Sequence, residues 1–175
     1  MKQILQREHP VLRETARSIP VDEIGSDAVQ KAIADMREAM HSQRDGVAIA
    51  APQIGVNLRI FVISGPLLKQ ADRRFKGDGS DLVFINPEII KRSKDKKEVE
   101  EGCLSVRWLY GMVERSSRVT LRAYDENGHK IERGASGLIA QIFQHEVDHL
   151  NGILFIDKVD KVWEMSDKEI AEAQG

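Results

Sequence analysis

Apolar residues recur at helical spacing after Ser26. Val29, Ile33, Met36 and Met40 fall on one stripe, and Ser26 is a residue type that caps helix N-termini, so the pattern predicts a helix running from Ser26 to about Arg44. Periodicity then disappears. Residues 45–55, DGVAIAAPQIG, are small and punctuated by Gly46, Pro52 and Gly55, which predicts a loop or an edge segment packed closely against something. Leu58 to Ser64 is rich in β-branched residues and reads as a strand. Residues 65–80 mix glycine with charge and read as a surface loop, and Leu82 to Asn86 returns to strand character. Between Val113 and Glu132 the alternating run VTLRAY, followed by the turn dipeptide Asn127-Gly128, predicts antiparallel strands joined as a hairpin.

A second helix is expected from Ser136 to the stop signal Asn151-Gly152. Leu138, Ile142 and Leu150 lie on one side of it, with Ile139, Phe143 and Val147 beside them. So wide an apolar face belongs to a helix buried over most of its surface. The tail from Trp163 to Gly175 has a weaker pattern that allows a short amphipathic helix.

Composition narrows the function classes. A chain of 175 residues with 41% hydrophobic side chains suits one compact unit, residues 1–175. Its 26 basic and 28 acidic residues leave a net charge of −2, so no overall field draws it to a nucleic-acid substrate or an anionic membrane. No window approaches the roughly 20 apolar residues of a membrane span. Cys103 is the only cysteine, so an internal disulfide is excluded and a lone thiol suits a reducing compartment; the expectation is a soluble, cytoplasmic protein.

The candidate chemistry sits in the buried helix, at Gln144-His145-Glu146-Val147-Asp148-His149. Histidines four apart are separated by about 400° of rotation, so both imidazoles leave one face of the helix and can bind one metal ion. Glu146 is offset by one residue and can reach a water on that metal. Two histidines satisfied in a core are the plain alternative, but the mostly apolar helix and the placed carboxylate argue against it. A catalytic metal needs a third protein ligand and a position left for water. His9, His41 and His129 stand in polar contexts and read as solvated side chains. Cys103, in Glu101-Gly102-Cys103-Leu104-Ser105, taken alone would more often be a small buried hydrophobe than a ligand.

Three segments together, Gly46-Val47-Ala48-Ile49-Ala50-Ala51-Pro52-Gln53, Glu101-Gly102-Cys103-Leu104-Ser105 and Gln144-His145-Glu146-Val147-Asp148-His149-Leu150, resemble in order and spacing the signature motifs of peptide deformylases. The resemblance implies an α+β fold in which antiparallel sheets surround a central metal-binding helix, with an N-terminal helix and a short C-terminal one. It implies a Cys103, His145, His149 site for one divalent ion. Thiolate and imidazole suit iron(II), zinc, nickel or cobalt, and the family points to Fe(2+) in cells, often replaced by Zn(2+) or Ni(2+) on purification.

The implied activity is hydrolysis of the formyl group from N-formylmethionyl nascent peptides, releasing formate. Glu146 is the natural general base, while the resemblance assigns oxyanion donors to the Gln53 amide and the Leu104 N–H. The methionine pocket corresponds to Val47, Leu138, Ile142 and the His145 ring, with Gln141 at its mouth. Ala48 lies where bound peptide would run, and Glu101 matches a carboxylate that pairs with Arg115 to support the cysteine segment. The partners implied are nascent peptides and a transient ribosome contact.

Two positions depart from the family pattern. Ala48 replaces a usual glycine, and Val106-Arg107-Trp108-Leu109-Tyr110-Gly111 replaces a segment that usually bears proline and glycine. Its aromatic residues either meet the nascent chain at the cleft rim or cover the core. A zinc peptidase shares H-E-x-x-H, takes its third ligand downstream, and here would find Glu164 as the first glutamate. A non-catalytic metal-binding relative is the other alternative; it would need neither Glu146 nor Gln53.

Overall fold

A computed structural model describes residues 2–71 and 77–174. Ser26 does cap the first helix: its hydroxyl accepts from Val29 N, and α1 runs Asp27–His41, three residues short of the expected end. Glycine closes the gap there. Gly46 lies so near the Met40 carbonyl that a Cβ would collide with it, so the chain turns back immediately after the helix. The small-residue segment that follows is a short edge strand, β1 (Ala48–Ala50), continued by a 3-10 turn over Ala51–Ile54 that ends at Gly55 with φ 79°.

The strands β2 (Ile60–Ile63), β3 (Leu82–Arg92), β6 (Arg118–Tyr124) and β7 (Lys130–Ser136) complete an antiparallel sheet in the order β1-β2-β3-β6-β7. Gly128, with φ 81°, turns the β6–β7 connection, as the Asn-Gly pair predicts. A second sheet holds β4 (Lys96–Cys103), β5 (Val106–Ser116) and β8 (Val162–Glu164) in the order β4-β5-β8.

The period of two decides which helix packs where. In β2, Ile60 and Val62 face α1 and join Val29, Ile33, Met36 and Met40 in one cluster. Phe61 and Ile63 face the other way, into a cluster with the helix α3 (Gly137–Leu150). A sheet buried on both faces explains why β2 has no polar position. Within the α3 cluster Phe143 meets Phe84 edge-on at 5.2 Å and Phe61 at 6.1 Å, each pair contributing about 0.5–1.5 kcal/mol beyond its buried area. A smaller cluster of Val106, Val113, Leu154 and Phe155 lies under the second sheet. Two sheets therefore hold α3 between them, with its histidines at the seam.

Three elements add to or correct the expected pattern. Residues 65–80 are not all loop: α2 (Gly65–Ala71) buries Leu68 completely, which a glycine-rich, charged composition obscures; residues 72–76 of that segment lie outside the described ones. The charged run before Cys103, for which the sequence pattern predicts no element, forms strand β4, with Lys96, Lys97 and Glu98 all exposed. The tail adds β8 before the helix α4 (Asp167–Gln174). Among the described residues no helix is long and apolar enough to cross a membrane.

Candidate metal centre

Cys103 ends β4, and His145 and His149 lie one turn apart on α3. The fold brings their donor atoms within 4.8 Å of one another, the one group of metal-ligating type found among the described residues. Cys103 Sγ is 3.1 Å from His149 Nε2. The two imidazoles meet at 69° with centroids 5.0 Å apart, and the ring of Phe155 stacks beside His145. Glu164, the ligand that the peptidase alternative needs, is exposed on β8 and lies outside this group.

The electrostatics suit a cation. Burial pushes the Cys103 thiol up, but the charge of His149 and hydrogen bonds from both histidines outweigh it and bring the thiol down to about 5, so sulfur is a thiolate at neutral pH. Glu101 is buried too; hydrogen bonds from Arg115 and His145 overcome that burial and lower its carboxyl to about 2. One Glu101 oxygen accepts from His145 Nδ1 at 2.8 Å, which leaves Nε2 of that ring for the centre. At this centre two buried side-chain atoms have no hydrogen-bond partner, Glu146 Oε2 and His149 Nδ1. A thiolate, two imidazoles and an orphaned carboxylate packed together fit a divalent ion with an acid–base group beside it.

The Glu101–Arg115 pair is bidentate, at 2.7 and 2.8 Å, and Arg115 also reaches Asp148 at 2.5 Å. All three are buried. Glu101 lines the cleft floor, but both of its oxygens are engaged, so it is not free to contact a ligand. Asp148 was missed in the sequence; its signal was an acid on a mostly apolar helix, which requires a partner. Ser105 was missed as well, and nothing in its residue type marked it. Its buried hydroxyl accepts from Gln53 Nε2 at 3.0 Å, and Ala50 N donates to Gln53 Oε1 at 2.8 Å. Gln53 is thus fixed with its amide N–H 3.6 Å from Cys103 Sγ.

A cleft of about 230 Å³ opens over these groups. Val47, Ala48, Leu138, Ile142 and His145 line it, together with Leu104, Gln53 and Glu146. Val47 is 41% and Leu138 44% exposed, so both face open space, whereas Ile142 lies deep. Gln141 donates to the Glu100 carbonyl at 2.7 Å across the mouth.

The unusual segment forms the rim. Arg107 pairs with Asp45 at 2.5 Å, donates to Gln43 Oε1, and covers the Trp108 ring at 4.9 Å. Trp108 sits at φ 65°, a conformation a bulky residue seldom adopts, where a glycine would be at ease. Tyr110 packs on Gly102, whose missing side chain makes room for its ring. Of the two roles open to these aromatics, Trp108 and Tyr110 line the cleft.

Ala48 is not among the residues with positive φ and pairs with Ile63 as an ordinary strand residue. Replacing it by glycine relieves no strain. Ala48→Gly is therefore expected to leave the melting temperature unchanged or slightly lower, since glycine raises unfolded-chain entropy by an amount worth about 0.5–1 kcal/mol. A clear rise in thermal denaturation would contradict this backbone assignment.

Known proteins resemble this chain in sequence and in fold. The family model described as polypeptide deformylase matches residues 1–164. A peptide deformylase from Pseudothermotoga lettingae is 43% identical over 86% of this chain and 78% of its own. One from Halothermothrix orenii is 44% identical over 89% of this chain and 91% of its own. The Met-Ala-Ser-bound structure of the class I type b peptide deformylase from Acinetobacter baumannii superposes with a TM-score of 0.79 at 33% identity, covering 91% of this chain and 98% of that one.

Proposed function

The chain belongs to the peptide deformylase family, and from that membership we infer that Cys103, His145, His149, Glu146, Gln53 and Leu104 carry the family's reaction here, within residues 1–175 acting as one catalytic unit. The activity is metal-dependent hydrolysis of the formyl group from N-formylmethionyl peptides, with release of formate. The observation that carries the assignment is the convergence of one sulfur and two imidazoles within 4.8 Å, in a cleft that Glu146 shares.

Cys103, His145 and His149 would hold the ion. When bound, it supplies Lewis-acid activation of water at neutral pH. Glu146 accepts the proton as water adds to the formyl carbon. Burial already raises its carboxyl, against the pull of both histidines, which suits a group that must take a proton and then release it. As charge builds on the formyl oxygen, the fixed Gln53 Nε2–H and the Leu104 backbone N–H donate to it. Glu146 then passes its proton to the methionine nitrogen as the carbon–nitrogen bond breaks, giving formate and a free amine. Gln53 needs no reorganisation, because Ser105 and Ala50 have already aimed it.

Val47, Leu138 and Ile142 would receive the methionine side chain. The edge strand β1 offers the backbone of Ala48 to an extended peptide, which would add to the sheet as a further strand. We assign Glu101 to holding His145 and the Cys103 strand rather than to substrate. Iron(II) is the metal we propose in cells, with zinc, nickel or cobalt able to occupy the same thiolate–imidazole set. A cytoplasmic location and transient contact with ribosomes complete the reading; the lone thiol and the nascent-chain substrate support them.

The discriminating experiment compares formyl-Met-Ala-Ser with acetyl-Met-Ala-Ser. Where Gln53 and Leu104 leave room only for hydrogen on the carbonyl carbon, kcat/KM for the acetyl peptide is expected to be at least about 100-fold lower, about 2.7 kcal/mol in the barrier. Equal rates would overturn the proposed geometry.

A further inference from the structure

Residues 2–6 form no helix or strand, yet they are tied to the body of the fold. Ile4 packs against the α1 cluster, and Leu12, beyond the next turn, is completely buried. The Leu5 side chain lies 3.5 Å from where Gly55 would carry a Cβ, beside the 3-10 turn that bears Gln53. Two consecutive residues then reach the segments of both oxyanion donors from behind. Leu5 N donates to the Gln53 carbonyl at 2.8 Å. Gln6 Nε2 donates to the Leu104 carbonyl at 3.0 Å, and Gln6 Oε1 accepts from Arg107 N at 3.3 Å. Gln6 is itself exposed and stands outside both the cleft lining and the metal-ligating group.

The turn that Gln6 grips is poorly closed by its own residues. Cys103 pairs with Val106, which leaves Leu104 and Ser105 as a two-residue loop between β4 and β5. The loops of that length that match the twist of their strands have positive φ at the first or at both residues, and neither Leu104 nor Ser105 has it. The pairing beyond is irregular as well, for residues 107–110 of β5 stand opposite Gly102 alone. Bonds from outside the hairpin support it instead. The peptide unit joining Leu104 to Ser105 is pinned at both ends, its carbonyl by Gln6 and its N–H by Cys103 Sγ at 3.4 Å. Ser105 Oγ accepts from Gln53 Nε2 at 3.0 Å, so residues 5–6, 53 and 104–105 close into a ring of contacts.

Given the oxyanion roles inferred above for Gln53 and Leu104, we propose that Gln6 is a positioning residue for deformylation, which by holding the Leu104 carbonyl sets the Leu104 N–H at a fixed separation from Gln53 Nε2. Glutamine suits the task, because one planar amide offers both the donor that the Leu104 carbonyl needs and the acceptor that Arg107 N needs. Oxyanion donors act within about 2.7–3.1 Å of the developing charge. A small shift of the turn therefore weakens the transition state, while the methionine contacts of Val47, Leu138 and Ile142 stay in place.

The test compares metal-loaded wild type with Gln6→Met, which keeps the length of the side chain and loses both bonds. On formyl-Met-Ala-Ser, kcat is expected to fall about three- to tenfold, the size of a lost hydrogen bond, with KM within twofold. The preference for formyl- over acetyl-Met-Ala-Ser should shrink at least threefold, with melting temperature and metal content unchanged. Gln6→Glu keeps the acceptor for Arg107 N but sets a carboxylate against the Leu104 carbonyl, and should be no better. Gln6→Met/Ser105→Ala should lose less than the product of the two single losses, because each substitution opens the same ring. Arg7→Ala, next in the chain, removes a guanidinium that pairs with exposed Glu8 and should stay within twofold. Hydrogen exchange at the Leu104 and Ser105 amides, read without substrate, should quicken in Gln6→Met. A normal kcat, a loss confined to KM, a loss matched by lost metal, fully multiplicative losses or unchanged exchange overturns the proposal. A wild type that releases no formate is instead a failure of the deformylase reading, seen before any variant is compared.

Discussion

Glu146→Gln is expected to keep its fold and its metal while losing about 10²–10⁴-fold in kcat, the usual contribution of a placed general acid–base group. The substitution preserves shape and removes only the ability to accept a proton. Glu146 Oε2 is buried without a hydrogen-bond partner, so no structural bond is broken at that oxygen. Burial lifts its carboxyl, and both neighbouring histidines restrain the rise. A buried carboxylate without a local partner costs folding energy, and such a cost is retained where chemistry needs the group. Single-turnover kinetics on formyl-Met-Ala-Ser, with metal content measured on the same sample, checks this. Near wild-type turnover with full metal would remove Glu146 from the role of base.

Cys103→Ala should lower metal affinity by more than the 10–100-fold that follows loss of a mere supporting partner. His145 and His149 alone would leave two protein ligands, one short of a catalytic site. The thiol offers a second readout. At about 5 its pKa makes it a thiolate and reactive when free, so alkylation should be slow in the metal-loaded protein and fast after chelation. Unchanged metal content in Cys103→Ala, or alkylation indifferent to chelator, would exclude sulfur as a ligand.

The histidine pair was legible because helix geometry alone puts residues four apart on one face, and the strip of apolar residues around them marked α3 as buried. Cys103 was not legible on those terms. It lies 42 residues before His145, and only the folding of β4 against α3 brings them together; resemblance supplied what periodicity could not. The charged strand β4 was unreadable for a related reason. One face of its sheet is wet, so lysine and glutamate dominate a segment that pairs with β5 from Lys96 to Glu101. Gln53 looked like a turn residue, and its fixation by Ser105 depends on a hydrogen bond spanning 52 positions. Apart from the resemblance, Arg115 is only a charged residue flanking a strand and Asp148 draws no reading, yet both are buried in one network with Glu101, since each satisfies the other's burial. Local order was written in spacing, while the contacts that assemble the centre span the sequence.

The most direct measurement is formate release from formyl-Met-Ala-Ser by the metal-loaded protein, run beside a longer unblocked peptide whose fragments are followed by mass spectrometry. The predicted result is stoichiometric formate and free Met-Ala-Ser, with the unblocked peptide intact. Fragments from the unblocked peptide without formate from the blocked one would mean that His145, Glu146 and His149 serve a peptidase, and would contradict the account.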